Sequence, residues 1–403
     1  MKRIFSSKRD RLPAKAGVFL IMAALIAGIV GCDGHTPPSQ NLEIRTWYDL
    51  NAVRDNLAGN HTLMNDLDST TAGYEELASP TANGGKGWQP IGFPTPHGST
   101  AYEGFRGAFD GQGHRIRDLY INRPGERWVG LFGSTDPGGV IQDIGVMNAT
   151  VIGDEYVGGL LAVTNGPVSN CYCSGKVTGN KDVGGLVGVD NHGTVHNCYF
   201  TGSVTGVDNV GGVAGRNNGT VSDSYSTGNV TGESHVGGLA GCQSVAIISN
   251  SYSAGSVTGS SSVGGLVGTN YVGPVANSLW DTETTGQVAS DGGTGKSTAE
   301  MKSMATFSGV AWNITAVADP GARNLSYIWN IVDGVTYPFL SWQACKGATL
   351  LHKEIASTGF ASLARTEEKG LATTREGCHN VSTSYARQQY QRTIDFRHII
   401  CPQ

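Results

Sequence analysis

The chain is short of charge. Only 15% of its residues are Asp, Glu, Lys or Arg, and between Val157 and Asn277 the only Lys or Arg residues are Lys176, Lys181 and Arg216. The formal net charge is −5, and the first 31 residues hold +5 of their own, so the body of the chain stands at −10. An acidic body argues against a nucleic-acid partner held through backbone phosphates. Within the same stretch no window keeps a 3.6-residue apolar period, which excludes a helical core there. No HExxH occurs, so a zinc peptidase of that type is excluded. The nonapeptide GGxGxD does not recur, so a calcium-loaded roll is not expected. Cys242, Cys345, Cys378 and Cys401 lack metal-ligand spacing.

What the chain has instead is glycine, 59 residues of it, and one phrase said five times. The phrase is roughly VGGLVG-x-N-x-GTVSNCYSTGSVTG, and its copies open at Val157, Val183, Val210, Val236 and Val263. A looser copy starts at Val129, and the steps between openings are 28, 26, 27, 26 and 27 residues. A fixed period of this size marks stacked supersecondary units. In the copy from Val183 to Gly206, three β-type runs stand between Gly and Asn/Asp clusters: 185–187, 194–200 and 203–205. Three short strands cannot bury an apolar face alone, but each can pair in parallel with its copy in the next coil. The expected fold is all-β, a parallel β-helix or β-solenoid of 26–27-residue coils with short helical caps.

Stacking predicts ladders. Val168, Val195, Val221, Ile248 and Val275 form an inward aliphatic one. Tyr172, Tyr199, Tyr225 and Tyr252 form an aromatic one, continued by Leu279 or Trp280. Asn170, Asn197, Asp223, Asn250 and Asn277 form a polar one, whose amides bond from coil to coil. The paired glycines of each VGGL mark a bend where a Cβ would crowd the backbone.

The five VGGL(V/A)G copies with their N-C/S-Y continuation resemble the GLUG motif. That repeat occurs in secreted and surface proteins of bacteria and archaea, including adhesin-like proteins and the non-catalytic part of IgA-specific metallopeptidases. The WxPIG and FxGxFDGxGHxI phrases, here Trp88–Gly92 and Phe105–Ile116, also precede GLUG repeats in that family. The resemblance implies a scaffold rather than a catalytic signature.

Six segments follow in order. Residues 1–31 read as an export signal, with a basic start and an apolar run from Gly17 to Val30 too short to span a membrane. Ile29-Val30-Gly31-Cys32 resembles the lipobox, which implies lipidation at Cys32 and a membrane anchor. Residues 32–41 are a tether. Residues 42–128 hold the N-terminal cap and first coils, with Thr46 as N-cap of a short helix that includes Leu50 and Val53. Residues 129–280 are the repeat solenoid. Residues 281–343 are a C-terminal cap, with a capping box at Ser297 and Glu300 opening a helix from Thr298 to about Met304. Residues 344–403 lose the glycine rhythm and read as an atypical tail.

No catalytic, cofactor-binding or metal residue is expected, and no cofactor. Gly292–Ser297 resembles a phosphate loop but has Ser290 where glycine is required, so it reads as a turn and no nucleotide is expected. Cys171 and Cys198 stand one repeat apart, close enough for a disulfide or a pair of free thiols; later copies carry Ser224, Ser251 and Ser278 there. Asp190, His192 and His196 read as surface polar residues, with Asn217, Gly219 and Asp223 as their counterparts. Asp182 and Asp208 read as sharing one inter-repeat turn, followed by His235 and Ser262. The densest polar group near the coils is Asp110, His114, Arg115 and Arg117, where a carbohydrate-active enzyme would have its site. The expectation is an exported, lipid-anchored, non-catalytic surface protein whose outward Ser, Thr, Asn and Tyr side chains meet glycans or surface proteins. A polysaccharide lyase or hydrolase and a passive envelope spacer are the alternatives.

Overall fold

The computed structural model describes residues 41–92, 104–190 and 192–343. The export signal, Cys32, the tether up to residue 40 and the tail from residue 344 lie outside them. The chain coils into a parallel β-solenoid whose main faces are sheets of nine, six, eleven and five strands. Coil stacks on coil in register: Val168 on Val195, Val195 on Val221, Ile248 on Val275.

One coil contains four strands rather than the three read from sequence. In the second full copy these are Lys181–Gly184, Val187–Asp190, Thr194–His196 and Tyr199–Thr205. The valine that opens each copy is itself in a strand. The run 194–200 is broken at Asn197, whose φ of 60° turns the backbone left-handed. The same turn recurs at Asn170, Asp223, Asn250 and Asn277, with φ of 53, 47, 48 and 51°. Asn and Asp tolerate that region better than other residues with a Cβ, so the polar ladder is first a ladder of corners. Its amides also bond along the axis: Asn197 Nδ2 donates to Asn170 Oδ1 at 2.7 Å, and Asn170 Nδ2 to Asp143 Oδ1 at 2.8 Å.

The VGGL corner works by space rather than by φ. A Cβ on Gly184 would strike the carbonyl of Val187, and one on Gly185 would strike the carbonyl of Gly212 and the ring of Phe200. The interior is a set of apolar ladders. His61, Phe109, Ile141, Val168, Val195, Val221, Ile248 and Val275 stand one above another in the nine-stranded sheet. Each fully buried valine here is worth about 1.5–3 kcal/mol.

Cys171 and Cys198 are buried free thiols. Their neighbours explain why sulfur and serine alternate. Each thiol or hydroxyl donates to the carbonyl two residues back, as from Cys198 Sγ to His196 and from Ser224 Oγ to Ser222. Each accepts the amide of the preceding coil, as from Cys171 N to Cys198 Sγ at 3.4 Å and from Cys198 N to Ser224 Oγ at 3.1 Å. The position needs a small donor-acceptor, and either atom serves.

At the N-terminal end, Thr46 caps the helix Trp47–Ala52 through a full capping box with Asp49. Trp47, Leu50 and Val53 are buried against the first coils. At the other end the helix expected over 298–304 is two short ones, Thr298–Met301 and Met304–Ser308, with Ser297 and Glu300 forming the box. Gly292–Ser297 is not a simple turn: Thr294–Lys296 is a strand paired with Leu279–Asp281. Among the described residues no helix is long and apolar enough to cross a membrane.

Candidate functional site

The tyrosine ladder runs from coil to coil along the eleven-stranded sheet. Tyr172, Tyr199, Tyr225 and Tyr252 stack face to face, with centroids 4.8, 5.0 and 4.9 Å apart and planes within 5° of parallel. The column continues on Leu279, while Trp280 falls at the adjacent position on Ser253. At its other end Tyr172 lies over Gly145, where a Cβ would strike the ring.

The ladder was expected to face outward, but most of it does not. The segment after residue 304 folds back along the flank and seals it. Trp329 packs 6.0 Å from Tyr225 and 5.9 Å from Tyr252, and Trp312 6.4 Å from Tyr252. The seal is also hydrogen-bonded. Tyr252 Oη donates to the Pro338 carbonyl at 2.7 Å, Trp329 Nε1 to Asp223 at 3.3 Å, and Trp312 Nε1 to the Asn277 carbonyl at 2.6 Å. Tyr337 reaches Asp281 at 2.6 Å, and Gln343 Nε2 donates to the Tyr225 hydroxyl at 2.7 Å. These residues make a second core, separate from the interior of the coils. Burial pushes the Tyr225 and Tyr252 phenols well above their ordinary range.

Where the seal stops, a groove opens. It has a volume of about 460 Å³ and runs between Trp342 and the coils that carry Asp110, Asp143 and Asn170. Tyr172 and Tyr199 form one wall, with Trp342 tilted beside them at 6.2 and 5.8 Å. Arg115 reaches the Tyr172 phenol, and burial, opposed by that guanidinium, raises the phenol's pKa. Asp110 ends the strand Ala108–Asp110 and accepts the amide of Gln112 at 2.9 Å. Asp143 is the first member of the corner column, with φ of 55°, and it terminates the run of amides from Asn197 through Asn170. The indole nitrogen of Trp342 is shielded and has no hydrogen-bond partner among the described residues.

The structure thus brings Asp110 and Arg115 together with Asp143, Asn170, two tyrosines and a tryptophan. Their partners in the fold lie up to 232 positions away in the chain, from Asp110 to Trp342, and only the Tyr and Asn periodicity announces any of them. His114 turns instead to Asp66 at 3.1 Å, and Arg117 does not line the groove. Among the described residues no three His, Cys, Asp or Glu side chains are grouped to hold a metal ion.

The other polar residues singled out by sequence are dispersed. Asp190, expected at the surface, is fully buried, whereas His192 is exposed. His196 aligns with Ser222 rather than Asp223 and bonds its hydroxyl at 3.0 Å. Asp182 and Asp208 are not equivalent: Asp208 stacks on Lys181, while Asp182 is buried, takes Asn209 at 2.7 Å and pairs with Arg216 at 3.1 Å. The sequence offset by one residue because the copies differ in length by one.

Residues 179–205 match the GLUG motif. The chain carries the GLUG repeat. A 157-residue stretch, 38% of the chain, is 38% identical to part of halomucin from Haloquadratum walsbyi (strain DSM 16790 / HBSQ001), of which it spans 2%. Among solved structures, a Bacteroides ovatus protein described as a candidate immunoglobulin A1 protease superimposes with a TM-score of 0.50. The match has 20% identity and covers 76% of this chain and 94% of that one. At that identity it speaks to the shared fold alone.

Proposed function

We propose that this chain is an exported, lipid-anchored cell-surface repeat protein that binds an external ligand in an adhesin-like role and performs no chemistry on it. The observation that carries the reading is the groove beside Trp342, the place where the otherwise sealed tyrosine ladder is open. A repetitive rigid stack holds that groove's walls in fixed register, which lowers the ordering cost of binding. The shared repeat with halomucin, a far longer protein, supports a modular unit of display. The basic start, apolar run and Cys32 support export and lipidation.

The test is binding of the full chain to a panel of polysaccharides and surface proteins, with the supernatant checked for products by mass spectrometry. Saturable binding without products is the expected result. Released fragments would overturn the non-catalytic reading in favour of a carbohydrate-active enzyme, for which Asp110 and Asp143 are the carboxylates in place. Absence of binding throughout would leave a passive spacer. Anchoring is tested separately: a clickable fatty acid fed to producing cells labels the protein, and Cys32→Ser abolishes the label.

A further inference from the structure

We infer that the occupant of the groove is a neutral glycan segment. This rests on the binding role proposed above and adds the ligand class and the residues that read it.

The inference starts from what the groove offers. Asp110, Asp143 and the Asn170 carbonyl oxygen are acceptors, while Arg115 is a donor and the two phenols serve as either. Trp342 adds an apolar face. A sugar chain matches this set. Its hydroxyls donate to carboxylates and accept from the guanidinium and the phenols, and its C–H faces pack on an aromatic ring. The volume of about 460 Å³ lies in the range of sites for small ligands and admits a short run of sugar rings.

Other ligand classes fit less well. An acidic polymer would meet two carboxylates and one guanidinium. A metal cation would find two carboxylates beside a guanidinium and, among the described residues, no third His, Cys, Asp or Glu grouped with them. An extended peptide would look for an unpaired strand edge, because main-chain bonding supplies its affinity. Ala108–Asp110 pairs on both sides, and so does Tyr172–Thr178; Arg115–Arg117 ends its sheet, but its outer main-chain groups are taken by Leu67 and by the Asp66 carboxylate. These three strands offer a peptide no open ladder among the described residues, so the ligand is recognised by side chains. A hydroxyl-rich chain is the ligand that side chains of this mixture recognise.

Each residue has a distinct role. Asp143 is held by Asn170, so its remaining lone pairs point at a fixed place and select hydroxyl donors. Arg115 positions the Tyr172 phenol and adds a donor. Trp342 is the apolar platform.

The experiment titrates the full chain by calorimetry with manno-, gluco- and galacto-oligosaccharides, and with oligouronates of the same length. Three variants follow: Trp342→Ala, Asp143→Asn and Tyr271→Ala, the last on a 64%-exposed tyrosine outside the groove. The expected result is binding of at least one neutral series, weakened at least tenfold by Trp342→Ala and by Asp143→Asn and unchanged by Tyr271→Ala. Circular dichroism and melting temperature report whether each variant keeps its fold. Asp143→Asn alone decides the matter if Trp342→Ala loosens the flank. Tighter binding of the oligouronates would overturn the choice of ligand class. Neutral binding that survives both groove variants would overturn the site. Binding only to proteins in the wider panel would leave the adhesin-like role standing and refute the glycan, whereas binding to nothing would refute both.

Discussion

Replacing Asp190 by asparagine should stabilise this protein above neutral pH and leave it unchanged in acid. Asp190 sits at the corner between two strands, at the register position that Thr164, Asn217, Gln243 and Asn270 occupy in other coils. The corner is closed by its side chain, whose Oδ1 accepts the Gly193 amide at 2.9 Å. The residue is fully buried and Oδ2 has no hydrogen-bond partner among the described residues. Burial, opposed by the amides of Gly193 and Thr220, lifts the carboxyl from its ordinary 3.8 to about 7. The folded state therefore holds the proton more tightly than the unfolded chain. The stabilisation that results is complete below pH 3.8 and is lost as pH rises through about 7. The loss amounts to about 4 kcal/mol at 1.36 kcal/mol per pH unit. Asparagine keeps the Oδ1 acceptor and carries no charge, as Asn217 and Asn270 do at the same position. For a solenoid of this size the difference corresponds to about 6 °C in melting temperature. Thermal melts of both proteins from pH 4 to pH 8.5 should coincide in acid and separate progressively, with the variant higher. Parallel curves, or a variant that melts lower at pH 8, would refute a buried, mostly protonated Asp190.

Gly185→Ala should cost about 3 kcal/mol, since the new methyl meets a carbonyl in the next coil and the Phe200 ring, neither of which can retreat. Gly113→Ala should cost only about 1 kcal/mol, because open space surrounds it and its φ of 77° is the sole obstacle; chemical denaturation compares the two. Cys171→Ser and Cys198→Ser should each change stability by less than about 1 kcal/mol, given the serines at that position in the next coils, and a thiol reductant should not lower the melting temperature. Trp329→Ala should cost about 3–5 kcal/mol and free the flank, which denaturation and new exposure of Tyr225 and Tyr252 to a tyrosine reagent would report.

Repeats make some of this fold readable without coordinates. Val168, Val195 and Val221 recur at the coil period, and that period alone places them in one inward ladder. Asn170 and Asn197 were legible as a polar stack, but their left-handed φ was not, and the strand that holds the opening valine, Lys181–Gly184 in the second full copy, went uncounted. Asp190 looked like a surface turn residue because sequence reports polarity and not depth. Its burial follows from the corner it closes. The fate of the tyrosines was not legible at all. Trp329 lies 77 residues beyond Tyr252 in the chain, and no period or motif connects them. The groove was half legible: Asp110 and Arg115 stood out as a dense polar group, while Asp143 and Trp342 join it only through coil stacking and the fold-back of the last segment.

The most direct measurement is a labelling footprint of aromatic side chains on the full chain, read by mass spectrometry with and without a bound neutral oligosaccharide. The account predicts that Tyr172 and Trp342 react in the free protein and are protected by the sugar, that Tyr225 and Tyr252 are inert in both states, and that Tyr271 reacts in both. Reaction of Tyr225 or Tyr252 in the free protein, or protection at Tyr271 in place of Tyr172 and Trp342, would contradict it.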